Sequence, residues 1–255
     1  MTPRPFTIAL SGKGGTGKTT ISSLLVRAFI DAGECPVLAV DADPNANFHE
    51  ALGVEVKETL GRMREEAFTR NIPPGMNRHD YVRFRFRQAL VESNGFDLIA
   101  MGRPEGPGCY CAANNLLGSL IDRLIGNYRF IVIDNEAGME HFSRLTQKHI
   151  DLLILVSDPS RRGLSTACRI AGLVKDLPMR VSRTVLVVNQ VREKPESWPE
   201  DVRLVFGKEN ISCLPSDPLV SKFDLEGEPT LMLPGDAPVV KAAEELFDGI
   251  FCKTG

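Results

Sequence analysis

Residues 12–20 read GKGGTGKTT and satisfy the pattern GxxxxGK[ST], with Gly12 and Gly17 as its fixed glycines. Residue types in this order suit phosphate. Glycines at 12, 14, 15 and 17 allow backbone N–H groups to turn inward around phosphate oxygens, and a helix starting just beyond aims its positive end at the same place. Lys18 is then expected to meet the β- and γ-phosphates of a nucleotide, and Thr19 to offer its hydroxyl to Mg²⁺. Lys13, Gly14, Gly15, Thr16 and Thr20 complete the loop. Its flanks fit as well: an apolar run at 6–10 precedes it and a helical pattern begins at Ile21, the strand, loop, helix setting that the motif requires.

Carboxylates follow two later apolar runs. The stretch DADPNAN at 41–47 leaves the run at 36–40, and carboxylates at a strand end beside a phosphate loop polarise water or hold Mg²⁺ through water. Asp43 is the preferred water activator; Asp41 instead could hold the loop. Asp134 ends FIVID in the manner of an acid that positions Mg²⁺, and the polar, Gly-ended turn 135–138 beyond it reads as a switch ordered by the nucleotide. Asn189, ending TVLVVN, and Asp217, after Leu214 and Pro215, lie where base recognition would occur; two ordinary loop residues is an equally good reading.

A different chemistry is offered at 102–111, GRPEGPGCYC, which leaves the run at 96–101. In an extended backbone Cys109 and Cys111 point to one face, so both sulfurs can meet one ion. A helix beginning near Ala112 would favour their thiolates. Two thiolates are half of a four-ligand soft-metal site, and a twofold axis through a second copy of the chain would supply the other half. Cys35, Cys168, Cys213 and Cys252 stand alone in apolar or helical patterns and read as buried structural thiols. His79, His141 and His149 lack partner spacing.

The positioning elements are legible as apolar runs at 6–10, 36–40, 96–101, 130–133, 152–156 and 184–188, separated by helical patterns, with helices expected at 21–32, 116–125, 164–174 and 239–251. Near-continuous Val, Ile and Leu indicates strands buried on both faces. The fold class is therefore α/β: one doubly wound, mostly parallel sheet covered by helices on both faces, its ligands beyond the carboxyl ends of the strands. The whole chain, 1–255, reads as a single P-loop domain. Residues 57–90 are the least regular part. Eight basic and four acidic residues give them a local charge of +4, and the break at 71–75, NIPPG, divides them. Their reading is a solvated helical face rather than a docking surface for an acidic partner.

A hydrophobic fraction of 43%, a charged fraction of 25% and a net charge of −3 belong to an ordinary core-forming globular chain with no global drive toward nucleic acid or anionic membrane. No apolar run approaches the roughly 20 residues of a membrane span, and the phosphate loop arrives too early for a signal peptide. A cytoplasmic setting, with reduced thiols, is the expectation.

With these residues laid out, the chain resembles the deviant Walker A ATPases, the group that includes the nitrogenase iron protein, MinD and ParA. Lys13 corresponds to their signature lysine. The resemblance implies ATP as the nucleotide, a homodimer in which Lys13 reaches the partner's phosphates, Asp43 and Asp134 as first- and second-switch acids, and Asn189 and Asp217 as base-contacting positions. Within the group, GPGCYCAANNLL together with DNEAGMEH resembles the CooC-type nickel-binding ATPases over almost the whole chain. That implies Ni²⁺ held by Cys109 and Cys111 between two subunits, ATP-driven closure and reopening of the dimer, and carbon monoxide dehydrogenase as the client. Spacing alone does not choose nickel, since four thiolates accept Zn²⁺ as readily. Two competing readings are an ATP-dependent iron–sulfur electron donor and a MinD/ParA-like positioning ATPase. The first lacks a cysteine just after Asp134. The second lacks a basic amphipathic face on the last helix, which carries Glu244, Glu245 and Asp248 with only Lys241.

Overall fold

Helical and extended segments alternate along the chain in the computed structural model, which describes residues 4–43, 47–69, 72–102, 111–135, 149–174 and 180–251. In order they are β1 (Phe6–Gly12), α1 (Lys18–Asp31), β2 (Val37–Asp41), α2 (Phe48–Leu52), α3 (Leu60–Thr69), α4 (Arg78–Ala89), β3 (Leu90–Glu92), β4 (Phe96–Ala100), α5 (Cys111–Ile125), β5 (Phe130–Asp134), β6 (His149–Ser157), α6 (Arg161–Val174), β7 (Arg180–Val191), α7 (Glu200–Phe206), β8 (Ile211–Pro215), α8 (Pro218–Glu226) and α9 (Pro238–Phe251). Among the described residues the strands form one sheet in the order β3-β4-β2-β5-β1-β6-β7-β8. All neighbours are parallel except β3, which runs against β4.

Each apolar run in the sequence is a strand of this sheet, because side chains that alternate between two covered faces must all be apolar. In β5, Ile131 and Ile133 join one core while Val132 joins the other; in β7, Leu186 and Val188 oppose Val185 and Val187 in the same way. One face is covered by α1 and α9, the other by α3, α4, α5 and α6. The stripe of α9, Val239, Val240, Ala243, Leu246, Phe247 and Ile250, has the spacing of one helical face. Each such large apolar side chain, when fully buried, contributes about 1.5–3 kcal/mol relative to exposure.

Two strands and several helices were not expected. β3 has three residues and β8 five, ending in proline, and both are edge strands whose single covered neighbour does not demand a continuous apolar run. Residues 57–90, read as a solvated helical face divided at 71–75, form two regular helices, α3 and α4, with Pro73-Pro74-Gly75 between them. Asn77 caps α4 by accepting the Asp80 N–H at 2.9 Å. Among the described residues no helix is long and apolar enough to cross a membrane.

Candidate functional site

Parallel pairing aligns the carboxyl ends of β4, β2, β5 and β1, so chemically active residues that follow each strand share one edge. Leu10 of β1 and Asp41 of β2 both stand in register with Asp134 of β5. Gly12 ends β1 beside Val156 of β6, and a Cβ there would overlap the Val156 carbonyl. Gly17 has φ 86° and precedes α1; a Cβ on it would overlap the side-chain amide of Asn189. Both glycines are therefore required by close approach as well as by backbone angle.

Between them the loop is closed on itself. Thr16 Oγ1 donates to the Lys13 carbonyl at 2.8 Å, and Lys18 Nζ donates to the same oxygen at 3.3 Å. Lys18 is buried, whereas Lys13, Gly14 and Gly15 are exposed, and nothing lies within 4 Å of where Cβ atoms on Gly14 or Gly15 would be. Open space thus lies over the middle of the loop. Asn189 Nδ2 donates to Thr16 O at 2.9 Å, so this residue braces the loop from the end of β7. Asp217 is occupied elsewhere: its carboxylate caps α8 by accepting Leu219 N at 2.9 Å and also accepts Val239 N at 3.2 Å.

Asp134 is 2% exposed and accepts two hydroxyls, Thr19 Oγ1 at 2.6 Å and Ser22 Oγ at 3.0 Å. Burial pushes its carboxyl up to about 6, against the pull of those hydroxyls and of Lys18. Asp41, fully buried beside it, is pushed by burial up to about 7, with the neighbouring Asp134 and Asp43 charges adding to the rise. Asp41 holds the turn after β2: Asp43 N donates to its Oδ1 at 3.1 Å and Phe48 N to its Oδ2 at 2.9 Å. Asp43 is half-buried, and its charge acts on both other carboxyls.

Three acids at or just beyond the ends of adjoining strands, a threonine hydroxyl and a lysine make an oxygen-rich set that lacks sufficient positive charge of its own. That donor chemistry suits a hard, octahedral divalent ion such as Mg²⁺ together with a polyphosphate above the loop. Ser22 was missed in the sequence, although its position three residues after Thr19 on α1 puts both hydroxyls on one helical face. Asn135, the first residue of the expected switch, is buried and donates Nδ2 to Leu10 O at 3.1 Å; residues 136–138 lie outside the described part.

Of the Cys-X-Cys segment only the last residue is among those described. Cys109 lies outside the described residues, and Cys111 is the first residue of α5. The segment leaves β4 at Gly102, whose φ of 66° and closeness to Thr59 fix the exit beside the start of α3. Among the described residues no group of three or more His, Cys, Asp or Glu is placed to hold a metal. Cys35 corrects one expectation: it is exposed, because it sits in the turn before β2 rather than on a covered face, while Cys168 and Cys213 are half-buried. Cys252 and His141 fall outside the described residues. His79 is exposed, and His149 Nε2 lies 3.2 Å from Asp151.

The loop, its helix and the paired strand ends define a P-loop NTPase. The profile described as CbiA: CobQ/CobB/MinD/ParA nucleotide binding domain matches residues 7–231, and the chain belongs to that family, as a MinD/ParA-type ATPase. It is 42% identical to an ATP-binding protein of Methanocaldococcus jannaschii, over 96% of this chain and 98% of that one. It is 32% identical to the carbon monoxide dehydrogenase accessory protein CooC of Rhodospirillum rubrum, over 86% of this chain and 87% of that one. Among solved structures it is similar to a ParA family ATPase from Chlorobium tepidum TLS, with a TM-score of 0.71, 19% identity, and 97% and 98% of the two chains covered.

Proposed function

We propose that this chain is an ATP-hydrolysing metallochaperone that binds nickel through Cys109 and Cys111 between two subunits and assists its insertion into carbon monoxide dehydrogenase. The observation that carries the reading is the strand order: β4, which the Cys-X-Cys segment follows in the chain, lies beside β2, and β2 beside β5, so the carboxyl end of β4 shares an edge with the phosphate loop and both buried acids. The similarity to CooC supports the cargo.

In this reading ATP is the substrate, and residues 12–20 receive its phosphates. Lys18 exchanges its hold on the Lys13 carbonyl for phosphate oxygens. Thr19 and Asp134 would hold Mg²⁺, which supplies charge neutralisation between the phosphates. Asp43 orients the attacking water, with Asp41 fixing the turn that carries it. Lys13, exposed in one subunit, crosses to the partner's phosphates, so that its charge and that of Lys18 stabilise the transition state. Asn189 reports the base to the loop through its bond to Thr16. The protein acts as a cytoplasmic homodimer, with each chain one ATPase domain.

The variant Cys109→Ala/Cys111→Ala tests the cargo. Equilibrium dialysis with Ni²⁺ or Zn²⁺ is expected to show loss of stoichiometric binding while basal ATP turnover persists; undiminished binding of either metal would sink the assignment. A MinD/ParA-like positioning ATPase is the second reading, favoured by the likeness of the sheet to that of a ParA family ATPase. Sedimentation with liposomes or DNA separates the two readings.

A further inference from the structure

The chain carries its basic charge unevenly, and the structure shows where that charge points. Residues 57–90 hold eight basic and four acidic residues in a chain of net charge −3. Balanced on a solvated surface, such a segment would need no partner. Here two of the four acids, Glu58 and Glu66, are drawn inward. Arg85 is only 14% exposed and forms ion pairs with Glu58 and Glu66, themselves about as buried, while also donating to Tyr81 Oη at 3.1 Å. This clamp joins α4 to α3 and removes two carboxylates from the surface.

What remains outside is different in kind. Tyr81, Val82, Phe86 and Ala89 bury one face of α4. Arg83 and Arg87, four residues apart on the opposite face, are exposed, and neither makes a hydrogen bond or ion pair with a described residue. Between them Phe84 is 51% exposed. Asp80 lies on the same face one turn earlier, but its carboxylate accepts Asn77 Nδ2 at 2.7 Å in the helix cap. The face therefore presents an apolar ring, two guanidinium groups with no described partner and the exposed, amide-bonded carboxylate of Asp80.

Its position adds meaning. β3 continues directly from α4 and pairs Leu90 with Ile99, near the carboxyl end of β4, so α4 ends toward the edge that carries the phosphate loop. At that edge the start of α3 is tied to β4 by Gly61 N donating to Met101 O at 2.8 Å.

We propose that the outer face of α4, centred on Phe84 and flanked by Arg83 and Arg87, is the docking surface for a protein partner that presents carboxylates around an apolar notch. Charge complementarity argues for this occupant. Guanidinium forks match carboxylates two bonds at a time, and an aromatic ring inside a polar rim is the usual anchor of a protein interface. A polyanion of repeating phosphates or an anionic bilayer calls for a longer basic stripe than two free arginines in an acidic chain. The surface goes beyond the ATPase and metal reading, since it stands whatever metal the thiols hold.

Fluorescence anisotropy tests it with the full chain and a labelled 20-residue peptide of repeating Glu-Glu-Leu, alongside a labelled 20-base-pair duplex and phosphatidylserine vesicles. The wild-type chain is expected to bind the peptide, with affinity falling as salt rises. R83E/R87E is expected to weaken binding about tenfold or more, R83Q/R87Q by less, and F84A by about three- to tenfold, each with unchanged basal ATP turnover and thermal midpoint. No binding of the peptide by wild type, equal binding by all variants, or binding of duplex or vesicles that the same substitutions abolish would overturn the proposal.

Discussion

The two ends of the central strands have been put to opposite uses. At their carboxyl ends β1 and β5 deliver Gly12 and Asp134 to a site with a buried lysine and two carboxyls pushed upward by burial. At their amino ends the same strands begin with Phe6 and Phe130, in register with each other. Phe29 of α1 stacks on Phe130 with ring centroids 4.2 Å apart, and Phe251 of α9 meets Phe6 edge-on at 5.9 Å. Arg4 pairs with Asp151 at 2.6 Å, and Arg129 lies over the Phe130 ring. About five residues of strand separate an edge that concentrates uncompensated charge from one that concentrates aromatic packing. Stability and chemistry are thereby given to different residues of the same strands, and substitutions can take one without the other.

The sharpest break at the aromatic end is Phe29→Ala. It removes a 5% exposed ring and its stack, so urea unfolding is expected to show a loss of about 3–5 kcal/mol, with ATP turnover per folded molecule near normal. Turnover falling in proportion to stability would mean that the two ends are coupled. Lys18→Ala is the reciprocal change. Steady-state phosphate release is expected to drop about 10²- to 10³-fold, while the thermal midpoint moves by no more than about 4 °C. A large drop in midpoint with residual turnover would reverse the assignment of that end. Arg4→Ala sharpens the comparison at its weakest point: the Arg4 side chain is 53% exposed, so the loss in a denaturant titration is expected to be about 1 kcal/mol or less and turnover unaffected.

The chemical end was the more legible in the sequence. Phosphate binding forces glycines, a lysine and a threonine into one contiguous motif, and Asp134 announces itself by ending an apolar run. Strands buried on both faces were equally plain. What escaped depends on residues that are remote in sequence. Ser22 matters only because α1 returns its hydroxyl to Asp134, 112 residues away. The aromatic end joins Phe6, Phe29, Phe130 and Phe251, each of which reads singly as ordinary core. Arg85 looked like one more basic residue of a solvated helix until the fold brought Glu58 and Glu66 to it. Asn189 and Asp217 looked alike at strand ends, yet one braces the loop and the other fastens backbone at α8 and α9. Edge strands β3 and β8 are short and covered unevenly, which leaves them without an apolar signature.

The proposed function rests on an ATP-closed pair of chains whose carboxyl edges face one another. Native mass measurement with metal analysis, made with and without ATP·Mg²⁺, addresses it directly. The account predicts that ATP converts the 28.0 kDa chain into a dimer holding one nickel or zinc per pair, and that Lys13→Ala abolishes both the conversion and most of the turnover. A chain that hydrolyses ATP as a monomer, with turnover indifferent to Lys13→Ala, would contradict it.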